Sequence, residues 1–182
     1  MALTRLGPNQ SVNLASNVTG TLPAANGGTG ATSFAPGKIL QFKQKSLSSG
    51  FETSSTTYQS VISDTITPSS TSSKIQIVMD AKFQSYDSSS NQSGYSKNKI
   101  ERAISGGATS DLMTDVELMR QYNTAAPSTG GCLLVAWQHV TFYDSPSTTS
   151  AITYTYYQKA DHSSDTVTIY TPANLYLIEV QG

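Results

Sequence analysis

The chain has one cysteine, Cys132, among 182 residues. No intrachain disulfide can form, and resistance to unfolding has to come from packing and association. Charged residues make up 13% and the net charge is −1, against a usual charged fraction of about 25%. Nucleic acid and anionic membrane surfaces ask for clustered Lys and Arg, so neither is an expected partner. No apolar run approaches the ~18 residues of a membrane-spanning helix, so no membrane insertion is expected. The opening MALTRLGPNQ lacks the apolar core of a secretory signal, which fits synthesis in a cytoplasm. His139 and His162 are the only histidines. With one distant cysteine they make no zinc spacing, and no metal or other cofactor is expected.

Hydroxyls fill the place of the missing charge. There are 28 Ser and 23 Thr, so the polar surface is built from neutral donors and acceptors. Disorder usually combines low hydrophobicity with high net charge, and here regular apolar runs accompany a net charge near zero. The length fits one ordinary domain with an appendage. The two are divided by residues 20–33, GTLPAANGGTGATS, which hold four glycines, one proline and no charge. Glycine admits positive φ, and proline fixes its own φ and removes a donor, so this stretch reads as a joint.

Residues 1–37 read as an extended anchoring arm. Their one charged side chain is Arg5, and their apolar residues follow neither a helical nor a strand period. Such an arm buries apolar surface only against something else. Leu3, Leu6, Val12, Leu14, Val18 and Leu22 are the candidate anchors, each worth about 1.5–3 kcal/mol if fully buried, before ordering entropy is subtracted. A solvated tail is the alternative, but such tails are usually richer in charge.

Residues 38–182 read as a strand-rich head. Strands are expected at 38–44, 57–67, 74–83, 100–104, 132–143, 151–160, 166–170 and 174–180, with turns at 161–165 and 171–174. The clearest is 74–83, where Ile75, Ile77 and Met79 alternate with Gln76, Val78 and Asp80. Polar loops are expected at 46–55, 85–98 and 125–131. Residues 111–122 stay open. Leu112, Val116 and Met119 match a helical spacing and Ser110 suits a cap, while a twisted strand fits nearly as well. Eight or nine strands with frequent turns make an all-β fold, a β-sandwich or jelly roll.

No catalytic residues are singled out. His162 sits beside Asp161, Ser163 and Ser164, but a Ser–His–Asp relay is assembled by the fold and not by neighbours in one turn. Asp and Ser in DHSSD suit turn chemistry. Glu52, Glu101, Glu117 and Glu179 are the only glutamates, and none shows the paired arrangement of a glycoside hydrolase. His139 alternates in phase with Val135, Trp137 and Thr141 on an expected central strand, as an interior or interface histidine. Tyrosine suits places that are dry at one end and wet at the other. Trp137, His139, Tyr154, Tyr156 and Tyr176 are therefore the candidates for a subunit interface or a binding surface, a glycan platform being the alternative to packing.

Several stretches carry a resemblance. TGTLPAANGGTGATS resembles a Gly-rich motif of bacteriophage tail-fibre and related virion proteins. TITPSSTSSKIQIVM (65–79), FYDSPSTTSAITYTYY (142–157) and the terminal LYLIEV (175–180) resemble a domain of fibre-like proteins from cyanobacterial and marine phages. The resemblance implies a non-enzymatic virion protein made in the host cytoplasm, with a jelly-roll-like head forming a homotrimer. Its other partners would be capsid or tail proteins. A short tail-fibre-like appendage and a capsid decoration (cement) protein both fit. The alternative is a receptor-binding tip that recognises a host surface glycan or protein through loops 46–56, 85–98 and 123–131.

Overall fold

The computed structural model describes residues 38–87, 95–120 and 132–182. The expected arm and joint, the middle of the expected loop 85–98 and the whole of the expected loop 125–131 lie outside the described residues. Among the described residues nine strands run in the order β1 (Ile39–Ser46), β2 (Phe51–Thr53), β3 (Gln59–Ile66), β4 (Lys74–Asp87), β5 (Tyr95–Ile104), β6 (Thr109–Arg120), β7 (Cys132–Asp144), β8 (Ile152–Ala160) and β9 (Asp165–Val180). They form two antiparallel sheets. Sheet A has the order β1-β9-β4-β7, with β2 also pairing β9, and sheet B has the order β3-β8-β5-β6. The expected β-sandwich is what the chain forms.

Period-two sequences explain the layers. On β4, Ile75, Ile77, Met79, Ala81 and Phe83 point inward and are fully buried. On β8, Ile152, Tyr154 and Tyr156 do the same from the other sheet. Ile169, Leu175 and Leu177 of β9 and Ile62, Ile66 and Ile100 of sheet B close the core. Successive side chains alternate faces on a pleated strand, so each strand supplies one core row and one outer row.

Four expectations need correction. Among the described residues β7 pairs with β4 alone and is an edge strand, not a central one. The expected loop 85–98 is strand at both ends, since β4 runs to Asp87 and β5 begins at Tyr95. Phe51–Thr53, expected as loop, pairs with Val167–Ile169. Residues 166–180 form one strand and not two. Ala81 faces Ala173 while Lys82 faces Tyr170, so Thr171 and Pro172 are extra residues in a bulge. Proline has no N–H to give a ladder and is tolerated there.

The open segment 111–122 is settled for its described part, because β6 is a strand. Asn98 pairs with Val116 and Ile100 with Met113. One extra residue therefore enters β6 here, where Asp115 adopts a φ of 54°, and two more enter between Met119 and Glu117 and between Met113 and Asp111. The helical spacing of Leu112, Val116 and Met119 falls on a strand whose period of two is interrupted three times.

Candidate functional site

The two outer faces of the sandwich differ in kind. Sheet B carries Thr, Ser and paired charges outward. Lys97 lies 2.7 Å from Asp161, and Lys99 lies 2.8 Å from Glu101 and 3.0 Å from Asp111. Lys159 lies 3.0 Å from Asp115. The tyrosine rings are already occupied: Lys99 sits 4.5 Å from the centroid of Tyr157, and Lys159 sits 4.4 Å from that of Tyr58. The Tyr157 hydroxyl donates to Glu101 at 3.1 Å. These groups satisfy one another, as on an ordinary solvated face.

Sheet A turns apolar side chains outward. Among the described residues the exposed large hydrophobics are Ile39, Leu40, Phe42, Leu133, Val135, Trp137, Tyr143 and Tyr170, together with Val116. All but Val116 lie on β1, β7 or β9. Trp137 is 54% exposed, Phe42 58% and Tyr143 62%. The ladder sets their arrangement. One row runs Phe42, Ile178, Gln76, Tyr143, and the next runs Gln44, Tyr176, Val78, Thr141. The third row is polar: Ser46, Asn174, Asp80, His139. Beyond it come Tyr170, Lys82 and Trp137, then Thr168, Gln84 and Val135. Two patches that mix large apolar side chains with Gln, Thr and Lys82 thus flank a wholly polar band.

The band is internally joined. Gln44 Nε2 and Ser46 Oγ lie 3.1 and 2.7 Å from Asn174 Oδ1. His139 Nδ1 lies 3.1 Å from Asp80 Oδ1. Phe42 and Tyr176 meet with ring centroids 5.8 Å apart. Lys82 Nζ lies 5.2 Å from the Tyr170 centroid, and the Tyr170 hydroxyl donates to Gln84.

The sequence candidates therefore separate. Trp137, His139 and Tyr176 share the outer face of sheet A, and His139 is exposed there instead of interior. Tyr154 and Tyr156 are at 0% and 1% exposure in the core, so in the single chain they present no surface. The Tyr154 hydroxyl donates to Asp144 at 2.8 Å and that of Tyr156 to Asn98 at 2.7 Å. Burial and the neighbouring Asp144 carboxylate raise the Tyr154 hydroxyl well above its ordinary range. The arm anchors Leu3, Leu6, Val12, Leu14, Val18 and Leu22 lie outside the described residues. Sequence reading missed Phe42 and Tyr143. Their signal was available in the alternation of KILQFKQ and in the apolar phase of β7 opposite to Leu134, Ala136 and Val140.

The remaining chemistry is structural. The buried carboxylate of Glu179 accepts from the Ser69 N–H and hydroxyl, each at 2.7 Å, and from Gln41 at 2.6 Å. In the DHSSD turn, Asp165 accepts from the His162 N–H at 3.1 Å. Among the described residues no group of three or more His, Cys, Asp or Glu is placed to hold a metal ion. No helix among them is long and apolar enough to cross a membrane.

No family model matches the chain and no curated protein matches it. Among solved structures, it is similar to particles of infectious bursal disease virus. The Gx strain aligns over 100% of this chain at 10% identity and a TM-score of 0.36. The T13 particle aligns over 100% at 10% identity and 0.38, and the VP2 subviral particle over 78% at 9% and 0.35. The chain spans 42%, 39% and 41% of those three chains. At this identity and these scores, nothing about those proteins carries over to this chain.

Proposed function

We propose that this protein is a virion structural protein: a short homotrimeric appendage, tail-fibre-like or a decoration protein, held on the capsid or tail by residues 1–37. The observation that carries the reading is the contrast between the two outer faces. Sheet B is a finished, ion-paired surface, and sheet A leaves Trp137, Phe42 and Tyr143 bare in a chain with no disulfide to stabilise it. A protein built to assemble has that asymmetry, because an apolar face left in water favours association. The sequence resemblance to phage fibre proteins supplies the setting. The hydroxyl-rich, weakly charged surface suits a particle exterior, and linked copies turn modest anchors into firm attachment.

The deciding experiment assembles particles with the full chain and with a chain lacking residues 1–37. The full chain should co-sediment with particles, and the shortened chain should stay free while its circular dichroism keeps the β signature. Equal particle binding by the shortened chain would sink the anchoring role. Absence of the full chain from particles would sink the virion reading.

A further inference from the structure

We infer that the outer face of sheet A is closed by further copies of this chain, with the Asn174–Asp80–His139 band setting their register. The inference rests on the self-assembling reading above and names its surface.

β7 makes the first argument. Its CLLVAWQHVTFY sequence is nearly continuous in apolar residues, as in a strand covered on both faces. Its inner row, Leu134, Ala136, Val140 and Phe142, packs on the core. Its outer row holds Leu133, Val135, Trp137 and Tyr143, all exposed in the single chain. An edge strand with this composition invites non-specific pairing unless a defined neighbour covers it.

Charge identifies the neighbour. Following the ladder, the outward charged residues of sheet A among the described residues are Lys74 and Lys82 against Asp80 and Glu52, which sum to zero with histidine counted as neutral. A balanced face exerts no pull on a strongly charged partner. It meets its own copy without like-charge repulsion, as closed symmetric assembly requires. Area agrees. Four strands about 4.8 Å apart, followed for about eleven residues at about 3.4 Å, cover roughly 700 Å². A standard interface uses about 800 Å² from each partner.

The polar band explains why such a face would give one arrangement. Sliding one copy along the other would set Asp80 and Asn174 against apolar rows, where an unpaired polar group costs about 1–3 kcal/mol. Only registers that keep the band opposite polar groups avoid that cost. A single buried polar position is known to fix register in this way.

Trp137 is the only tryptophan, so the unmodified full chain reports on this face. Light scattering and tryptophan emission are followed together over a dilution series. The expected result is a multiple of the chain mass, with blue-shifted emission protected from acrylamide. Both should revert together on dilution. Trp137→Glu and Phe42→Glu, one in each patch, should raise the concentration for assembly at least tenfold, while Ser63→Glu on sheet B should not. His139→Leu should assemble into more than one mass. Assembly with exposed-type emission, or unaltered by W137E and F42E, overturns this surface and leaves self-assembly standing. A single mass for H139L overturns the register role. A full chain that stays at single-chain mass at high concentration overturns both this inference and the assembly reading, including the case where another protein covers the face.

Discussion

Arg102 Nη1 lies 2.8 Å from Asp144 Oδ1 and 3.0 Å from Oδ2, and it joins sheet B to sheet A through their common interior. The Tyr154 hydroxyl donates to the same carboxylate at 2.8 Å. Asp144 is almost fully buried, so removing it strands a cation and a hydroxyl together. Breaking a buried pair from one side costs about 3–5 kcal/mol, while replacing both members by apolar residues is often neutral. Asp144→Ala should therefore lose about 3 kcal/mol in urea unfolding. Arg102→Met with Asp144→Leu should recover the part due to the stranded cation, leaving only the cost of the Tyr154 hydroxyl. A double variant no better than Asp144→Ala would show that the pair contributes more than its own neutralisation.

Tyr58 and Asp115 lock the β6 bulge to the segment before β3. The Tyr58 hydroxyl donates to Asp115 Oδ1 at 2.8 Å and accepts from the Asp115 N–H at 2.9 Å. Hydrogen bonds from Tyr58 and Lys159 hold the Asp115 carboxyl below its ordinary range. At a φ of 54°, Asn and Asp are tolerated where β-branched residues are not. Tyr58→Phe should cost about 1 kcal/mol. Asp115→Asn should fall near that value and Asp115→Val well above it, as measured by melting temperature. Equal losses for Asn and Val would mean that the backbone conformation is not what constrains this position.

Much of the sandwich was legible because its strands follow a period of two, as in KIQIVMDAKF and AITYTYYQKA. Legibility ended where a residue count broke the period. Three extra residues, one of them at Asp115, made β6 resemble a helix, and Thr171–Pro172 made β9 resemble two strands with a turn. Tyr154, Tyr156, Trp137 and Tyr176 were visible as amphipathic aromatics, but composition does not say which face a strand turns outward. The core claimed the two β8 tyrosines because Asp144 and Asn98 wait there to bond their hydroxyls. β7 reads as central because it is apolar on both faces, and pairing alone revealed the edge.

Asp165 should make the protein less stable as pH rises through the mildly acidic range. Burial raises its carboxyl above the ordinary value of 3.8, and Asp87 opposite it on β4 pushes the same way. The His162 backbone N–H and ring pull in the other direction without cancelling this. The unfolded chain releases this proton near 3.8 and the folded chain only at higher pH. Between the two values the folded state binds more protons, so stability falls with pH and levels off above the folded value. Asp165→Asn keeps an acceptor for the His162 N–H and removes the titration. Its melting temperature should match the wild type below pH 3.8 and exceed it at neutrality. A lower value at neutrality would make the carboxylate itself a structural requirement.

Glu179 supplies the opposite slope. Burial alone would raise its carboxyl, but the polar groups of Ser73, Ser69 and Gln41 that face it outweigh burial and hold it below the ordinary value of 4.5. The unfolded chain then binds the proton first as pH falls. The stabilisation is complete above 4.5 and is lost as pH drops through the folded value. The carboxylate also clamps the segment between β3 and β4, since Gln41 Nε2 donates to both Glu179 and the Thr67 carbonyl, each at 2.6 Å. In Glu179→Gln one oxygen can still accept from Ser69, while the new amide meets the Gln41 amide, donor against donor. Turning Gln41 over to relieve that contact would strip Thr67 of its donor. The loss expected in urea unfolding at pH 7 is about 1–3 kcal/mol. It should shrink as the pH is lowered below 4.5, because the wild type gives up the same interaction there. A loss independent of pH would place the effect in packing and not in the charge.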